Sequence, residues 1–416
     1  MWRTIILCAV IGLIAAEKAT FHNYKVFRIT PTTNEHVELL RELPEIADEF
    51  SFWKEPTTVN AHVDLMVAPH KLPVFHDIMD KIKAPHQVHV DNVQTLIDET
   101  TTANNQSMSF DENYRTLWEI YDHLDNLAKQ YPGKVEVVVG GSTFEKRQIK
   151  GVKVSFKANN PGIFIEGGNH AREWISPATV MYILHQLLTS KNPDVRALAE
   201  SHDWYIFPVF NPDGYVYTHT TNRMWRKTRE VHGLICRGTD PNRNWSYKWR
   251  SEGFRWASSF PCSETYSGSA PFSDIETKSM SEYIRSISDK FYAYISFHSY
   301  SQLLMFPYGY TKTHLDNYDD LYAIGLKSAG ALKKRYGTEY KVGSIAETIY
   351  MASGSTVDYI KGVYNKPIVF VYELRDAGRY GFLLPREQII PTGEETLDSL
   401  VTMFKEAKAR GYPKTN

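Results

Sequence analysis

Cysteine is scarce in this chain, with three residues, at positions 8, 236 and 262. Cys8 falls in an N-terminal leader, so a mature chain keeps Cys236 and Cys262. In an oxidising compartment these two pair, and the loop they close adds about 3–4 kcal/mol by the chain-entropy argument. Two unpaired buried thiols are the other reading. Charge of either sign is not in excess. The formal net charge is −1 and no basic stripe or tail is visible, which argues against nucleic acid as a partner. No apolar run reaches the roughly 20 residues that a membrane span needs, so no stable membrane association is expected. No GxSxG occurs, which removes the nucleophile-elbow form of a serine hydrolase. Low-complexity tracts and internal repeats are absent too. Lys and Arg are missing between Lys83 and Arg115, a gap that bears on processing.

What is present begins with residues 1–16, MWRTIILCAVIGLIAA: one Arg, then a short apolar run ending in Ala15-Ala16. This is the pattern of a secretory signal peptide and predicts a secreted, extracellular protein. The alternative, a membrane anchor, is too short. At 416 residues the chain is long enough for two domains, one with a sizeable core. Residues 17–105 read as a small α/β sandwich. Strands are expected at 25–29, 62–67 and 87–90, with helices at 35–43 and 74–82. The polar stretch 98–109 is the linker candidate. Residues 106–416 form the larger domain. Leu117, Ile120, Tyr121, Leu124 and Leu127 share one face of its first helix, which stops at Pro132-Gly133. Strands are expected at 135–140, 150–156, 162–167, 204–210, 291–297 and 368–374, and helices at 176–190, 273–288, 317–336 and 393–409. Ser176-Pro177 reads as N-cap and N1. Several strands are apolar almost throughout, which suggests burial on both faces. The fold class is therefore α/β, a mixed β-sheet flanked by helices, preceded by a small α/β open sandwich.

Three strand ends carry metal-binding chemistry. His170 and Glu173 follow GIFIEGG, His298 ends FYAYISFH, and Glu373 ends PIVFVYE. Two His, one Glu and a spare Glu make the ligand count of a catalytic zinc plus a general base. A single HxxE is a weak signal; three candidate ligands at strand ends, with Gly167 and Gly168 permitting close approach, are hard to explain by packing. Glu373 has two readings on local sequence: an ion pair with Arg375, or a carboxylate facing the metal site. Arg172, Arg223, Arg226, Arg229 and Arg243 lie near the motif segments, and Asn242-Arg243 offers several donors to a carboxylate. Asn105 and Asn244 stand in glycosylation acceptor patterns, Asn244 in a segment expected to form the wall of the site.

The motifs NHAREW, NRMWRKTR, DPNRNW, CSETYSGSAPFS, FHSYSQLLMFPYGY, IYMASGSTVDY and ELRDAGRYGFLLP run through residues 114–416. With them the chain resembles the secreted zinc metallocarboxypeptidases of the pancreatic carboxypeptidase A/B group. The preceding segment is similar to that family's inhibitory prodomain. The resemblance implies a zymogen whose intramolecular inhibitor is its own prodomain, and whose substrates are peptide and protein C-termini. It implies one Zn²⁺ held by His170, Glu173 and His298. Glu373 would be the general base for a zinc-bound water, and Arg226 would stabilise the oxyanion. Asn242, Arg243 and Tyr350 would hold the terminal carboxylate, while Arg172 and Tyr300 touch the peptide further from its end. Val357 would be the floor of the side-chain pocket, with Ile345, Ala352 and Met305 lining it. An apolar floor favours aromatic or aliphatic C-terminal residues and disfavours Lys and Arg. The family's digestive members are usually activated by trypsin-like cleavage at a basic linker residue, which this chain lacks. Its activating protease is therefore expected to cut among Asp98–Ser109 with another specificity. A secreted peptide-binding protein that has lost catalysis is the rival reading. It would need a missing ligand or base, and every matched position is intact.

Overall fold

A computed structural model of the chain describes residues 18–46, 50–101, 109–251 and 257–414. The leader, Asn105 and most of the expected linker lie outside the described residues. The N-terminal unit is a four-stranded antiparallel sheet of β1 (Lys25–Ile29), β2 (Phe50–Lys54), β3 (Val63–Val67) and β4 (His86–Val90), in the order β2-β3-β1-β4. Strand periodicity sends Phe27, Leu65 and Val67 to one face, where they pack on Leu40 and Leu43 of helix Asn34–Ile46 and on Phe75 and Met79 of helix Leu72–Ile82. Val26 and Met66, out of phase with them, face the rest of the protein and meet Met224, Tyr300, Phe382 and Leu383. A sheet covered on both faces has no polar face, which is why β3 is buried at every position.

The larger unit is built on β5 (Val135–Ser142), β6 (Gln148–Val154), β7 (Gly162–Glu166), β8 (Asp203–Phe207), β11 (Phe291–Ser299), β12 (Leu303–Phe306), β13 (Lys341–Ser344) and β14 (Ile368–Leu374). A short hairpin of β9 (Val231–His232) and β10 (Cys236–Arg237) stands apart. The eight-stranded order is β13-β12-β14-β11-β7-β8-β6-β5. The central strands β14, β11, β7 and β8 run parallel, whereas β12 on β14 and the β6/β5 edge are antiparallel. Helices Leu117–Gln130, Ile175–Thr189, Tyr318–Tyr336 and Ile389–Ala409 cover one face. Helices Ile275–Ser286 and Thr356–Tyr364 cover the other. Burial on both faces accounts for the continuous apolar runs of β7 and β11. Cys236 and Cys262 are disulfide-bonded, 26 residues apart in sequence.

The structure corrects several expectations. Strand β2 and helix Val93–Thr101 were not expected from sequence. The helix carries Asp98 to Thr101, which therefore do not belong to a linker; Val93, Ile97 and Thr100 are buried. The first helix of the larger unit starts just after Arg115, with Thr116 as its N-cap in a capping box with Glu119. Ser176 is not an N-cap. The helix begins at Ile175, and the Ser176 hydroxyl donates to Phe297 O (2.6 Å) while accepting from Gly168 N (2.9 Å). It ties the first turn to β11 and to the loop that carries His170.

Candidate active site

The parallel strands place their C-terminal ends side by side, and the functional side chains leave from there. His298 is the penultimate residue of β11 and pairs in register with Glu373 of β14. His170 and Glu173 sit in the loop after β7, which needs close backbone approach. Gly168 has φ +64, and a Cβ there would lie 3.0 Å from Val209 Cα. Ala171 N donates to Arg226 O (3.0 Å), fixing the loop on the segment that carries Arg226.

His170, Glu173 and His298 are buried, and one ligand atom from each lies within 4.8 Å of the others. His170 Nδ1 is 2.8 Å from Glu173 Oε1, and His298 Nδ1 is 3.1 Å from both His170 Nδ1 and Glu173 Oε2. Two ring nitrogens that face each other at this distance cannot both carry a proton. A donor set of two imidazole nitrogens and a carboxylate around one point fits zinc. The outward His170 Nε2 meets Asp240 Oδ1 at 3.1 Å, which places the proton on Nε2 and the lone pair on Nδ1. Burial opposes ionisation of Glu173, yet His170 and His298 outweigh it and hold its carboxyl below the usual range.

Asp240 is the functional residue that sequence reading missed. Its second oxygen receives Arg226 Nε (3.2 Å) and Nη2 (2.9 Å), so one buried carboxylate positions both His170 and Arg226. Its only sequence signal was a turn-forming Asp-Pro. Arg226 Nη1 stands 3.8 Å from Glu173 Oε1. Across the cleft, Arg243 Nη2 donates to Tyr350 Oη (2.9 Å). Asn242 Oδ1 accepts from Thr356 N (3.0 Å), leaving its NH₂ end clear of that bond. The Glu373 carboxyl is half-buried at the edge of the cleft, and loss of solvent around it pushes it up to about 8 against the pull of His298. It does not pair with Arg375, whose guanidinium is committed to Glu395.

Of the five arginines, Arg172, Arg226 and Arg243 border one cavity of about 410 Å³ together with His170, Glu173, Asn242, Tyr300, Tyr350 and Glu373. Arg223 is structural: it lies 3.7 Å over the Trp174 ring and donates to Arg172 O and Phe382 O. Arg229 stacks on Tyr217. Val357 and Met305 belong to a buried apolar cluster with the partly buried Ile345 packed against it, and none of the three is among the residues that border the cavity. Asp358 is held away from them by the amide N–H groups of Gly309 and Tyr310 (2.9–3.0 Å). Asn244 is buried, its amide bonded to Ser267 O and Ala270 O, which leaves no room for a glycan.

The N-terminal unit closes this cavity. Phe52, Trp53, Lys54 and Glu55, at the end of β2 and just beyond, form its outer wall. Arg172 donates to Phe52 O (3.1 Å), and Tyr300 Oη to Asp64 Oδ2 (3.4 Å). Arg28 grips Asp64 through two 2.7 Å bonds and reaches Gly378 O (3.2 Å). Glu55 Oε2 is buried without a hydrogen-bond partner. Burial holds the Glu55 pKa above its ordinary value, with Asp240 adding to it and Arg226, Arg243 and Arg172 pulling against it.

A buried His-Glu-His centre at the strand ends of a mixed sheet, beside a further carboxylate and a clamp of arginines, defines a metal-dependent hydrolase. Residues 120–399 match the zinc carboxypeptidase family, and residues 27–100 the carboxypeptidase activation peptide family. The chain is 46% identical to zinc carboxypeptidase A 1 of Anopheles gambiae, over 98% of this chain and 95% of that one. It is 39% identical to carboxypeptidase A2 of Rattus norvegicus, over 99% and 100%. The crystal structure of the carboxypeptidase A from Helicoverpa armigera superposes with a TM-score of 0.84 at 26% identity, covering 95% of this chain and 99% of that one. The chain belongs to the zinc carboxypeptidase family, and is a metallocarboxypeptidase that carries an activation peptide.

Proposed function

We propose that the chain is made as a secreted precursor, with residues 1–16 as signal peptide, 17–105 as inhibitory prodomain and 106–416 as catalytic domain. The freed catalytic domain removes single aromatic or aliphatic residues from peptide C-termini. The observation that carries this reading is the convergence of His170, Glu173 and His298 on one point, with Glu373 in register beside His298 and with Arg226 and Arg243 bordering the same cavity.

His170, Glu173 and His298 would hold zinc, which would supply Lewis acidity and lower the pKa of water at the site toward neutrality. Glu373 takes the proton of the attacking water and delivers it to the leaving amine. Arg226, fixed by Asp240, donates to the scissile carbonyl oxygen as charge builds there. Arg243 and Asn242 bind the terminal carboxylate, and the Tyr350 hydroxyl joins them. Arg172 and Tyr300 become available to the rest of the peptide once Phe52 and Asp64 leave. Val357, with Ile345 beside it, makes the side-chain pocket apolar. A helix Thr356–Tyr364 that repacks slightly would open that cluster to substrate.

Latency is supported by the wall that Phe52 to Glu55 build across the cavity and by the Glu55 carboxylate facing the arginines that would bind substrate. No helix among the described residues is long and apolar enough to cross a membrane. The test is hydrolysis of two matched blocked peptides, ending in Phe and in Lys, by the processed domain with and without a chelator. Chelator-sensitive release of Phe with little release of Lys is expected; preferential release of Lys would remove the Val357 assignment.

A further inference from the structure

A second concavity, of about 590 Å³, lies between helix Pro193–Glu200, the C-terminal helix Ile389–Ala409 and the residues just beyond it. It shares no residue with the cleft. Its walls are Leu198, Val401, Phe404 and Tyr412, each less than a tenth exposed, so the hollow is framed by the fixed core and not by loose surface chains. A volume of several hundred Å³ with apolar walls is the range of small-molecule sites.

The polar groups are few and unevenly placed. Inside, His202 Nδ1 lies 3.2 Å from Leu198 O and its Nε2 3.0 Å from the Tyr292 hydroxyl. Burial, with Lys408 adding to it, holds His202 below its ordinary pKa. The Ser201 hydroxyl lies 3.0 Å from the same Nδ1 and 3.2 Å from Leu198 O, so with a neutral ring the interior polar groups pair with one another and present no charge. Every charge is at the mouth. Asp194 and Lys405 neutralise each other at 2.7 Å. Lys408 has no ion pair among the described residues, which leaves one net positive charge above an apolar hollow.

We propose that this cavity binds a monocarboxylic acid with an extended apolar body, the chain among Phe404, Tyr412 and Leu198 and the carboxylate at Lys408. A dianion would leave one charge unmatched, and a neutral alcohol would leave Lys408 unused.

Calorimetric titration of the full-length protein with decanoate tests this, with decanol and decanedioate as controls. Three variants locate the site: Lys408→Glu at the mouth, Ala197→Trp to fill the hollow from an exposed helix position, and Arg243→Gln to disable the carboxylate clamp of the cleft. Saturable binding of one decanoate is expected in wild type and in Arg243→Gln. It should weaken at least about tenfold in Lys408→Glu, since 1.4 kcal/mol is one decade, and vanish in Ala197→Trp. Peptidase activity after processing should be unchanged in Lys408→Glu and Ala197→Trp, which shows that they fold. Absence of saturable binding to wild type, equal binding of decanol, or binding lost in Arg243→Gln but kept in Ala197→Trp would each overturn the proposal. None of these outcomes touches the assignment of the metal centre.

Discussion

His298 and Glu373 are register partners on adjacent parallel strands, so their side chains rise on the same side of the sheet, one strand apart. One is drawn into the cluster with His170 and Glu173; the other is not. On the proposed reading, strand pairing sets a ligand and a base side by side. Glu373→Gln keeps the shape and removes the proposed base. It should lower kcat by about 10²–10⁴-fold with KM changed little, as read from steady-state kinetics on a Phe-terminated peptide.

Val357→Asp places a carboxylate where the cluster with Ile345 and Met305 is apolar. A buried charge is costly unless paired, and a Lys or Arg side chain of the substrate would pair it. The ratio of kcat/KM for Phe over Lys should fall by at least about 100-fold. An unchanged ratio would move the specificity determinant elsewhere.

The Glu55 carboxylate lies in the field of Arg226, Arg243 and Arg172, and Asp64 joins Arg28 to Tyr300. Removing either charge should loosen the cover. Uncleaved Glu55→Gln and Asp64→Asn precursors should hydrolyse a small substrate faster than the wild-type precursor, by about tenfold for each 1.4 kcal/mol by which the closed state is weakened. The processed enzymes should be indistinguishable.

Trypsin should not activate this precursor at a linker site. Lys83 caps helix Leu72–Ile82 within the N-terminal unit. Arg115 is held by the carbonyls of Ser109 (2.6 Å) and Phe110 (3.0 Å). Mass analysis after limited digestion should show no cut between residues 83 and 115 with trypsin. Proteases that cleave at Thr, Asn or Ser should cut within 102–109.

The His185 imidazole is bound to Asp111, and this bond raises its pKa against burial. A base with a raised folded pKa contributes stability that is complete below its unfolded value of about 6.5 and is lost as pH rises through the folded value. The pair is partly exposed, so at most about 1 kcal/mol is at stake. Between pH 5.5 and 9, wild type should lose more stability than His185→Gln in chemical denaturation. An equal loss would show that the pair carries none.

Much of this was legible in the sequence for a physical reason. Strands β7, β11 and β14 are apolar on both faces, so their ends, and hence His170, His298 and Glu373, stand out. Strand β2 reads poorly because FSFWK mixes large aromatics with polar residues on a strand that meets a helix layer on one side and the catalytic unit on the other. Helix Val93–Thr101 is short and rich in Thr, and only its packing beside Phe382 and Leu383 makes it helical. Asp240 was hidden because its role depends on His170 and Arg226, 70 and 14 residues away. Tyr350 has no local signal at all; its meeting with Arg243 spans 107 residues.

On the proposed reading His170, Glu173 and His298 hold the zinc and Glu373 does not. Metal content by mass spectrometry on wild type, His298→Ala and Glu373→Gln tests it directly. One zinc per chain is expected in wild type and in Glu373→Gln, and loss of zinc in His298→Ala. Zinc retained in His298→Ala, or lost from folded Glu373→Gln, would contradict it.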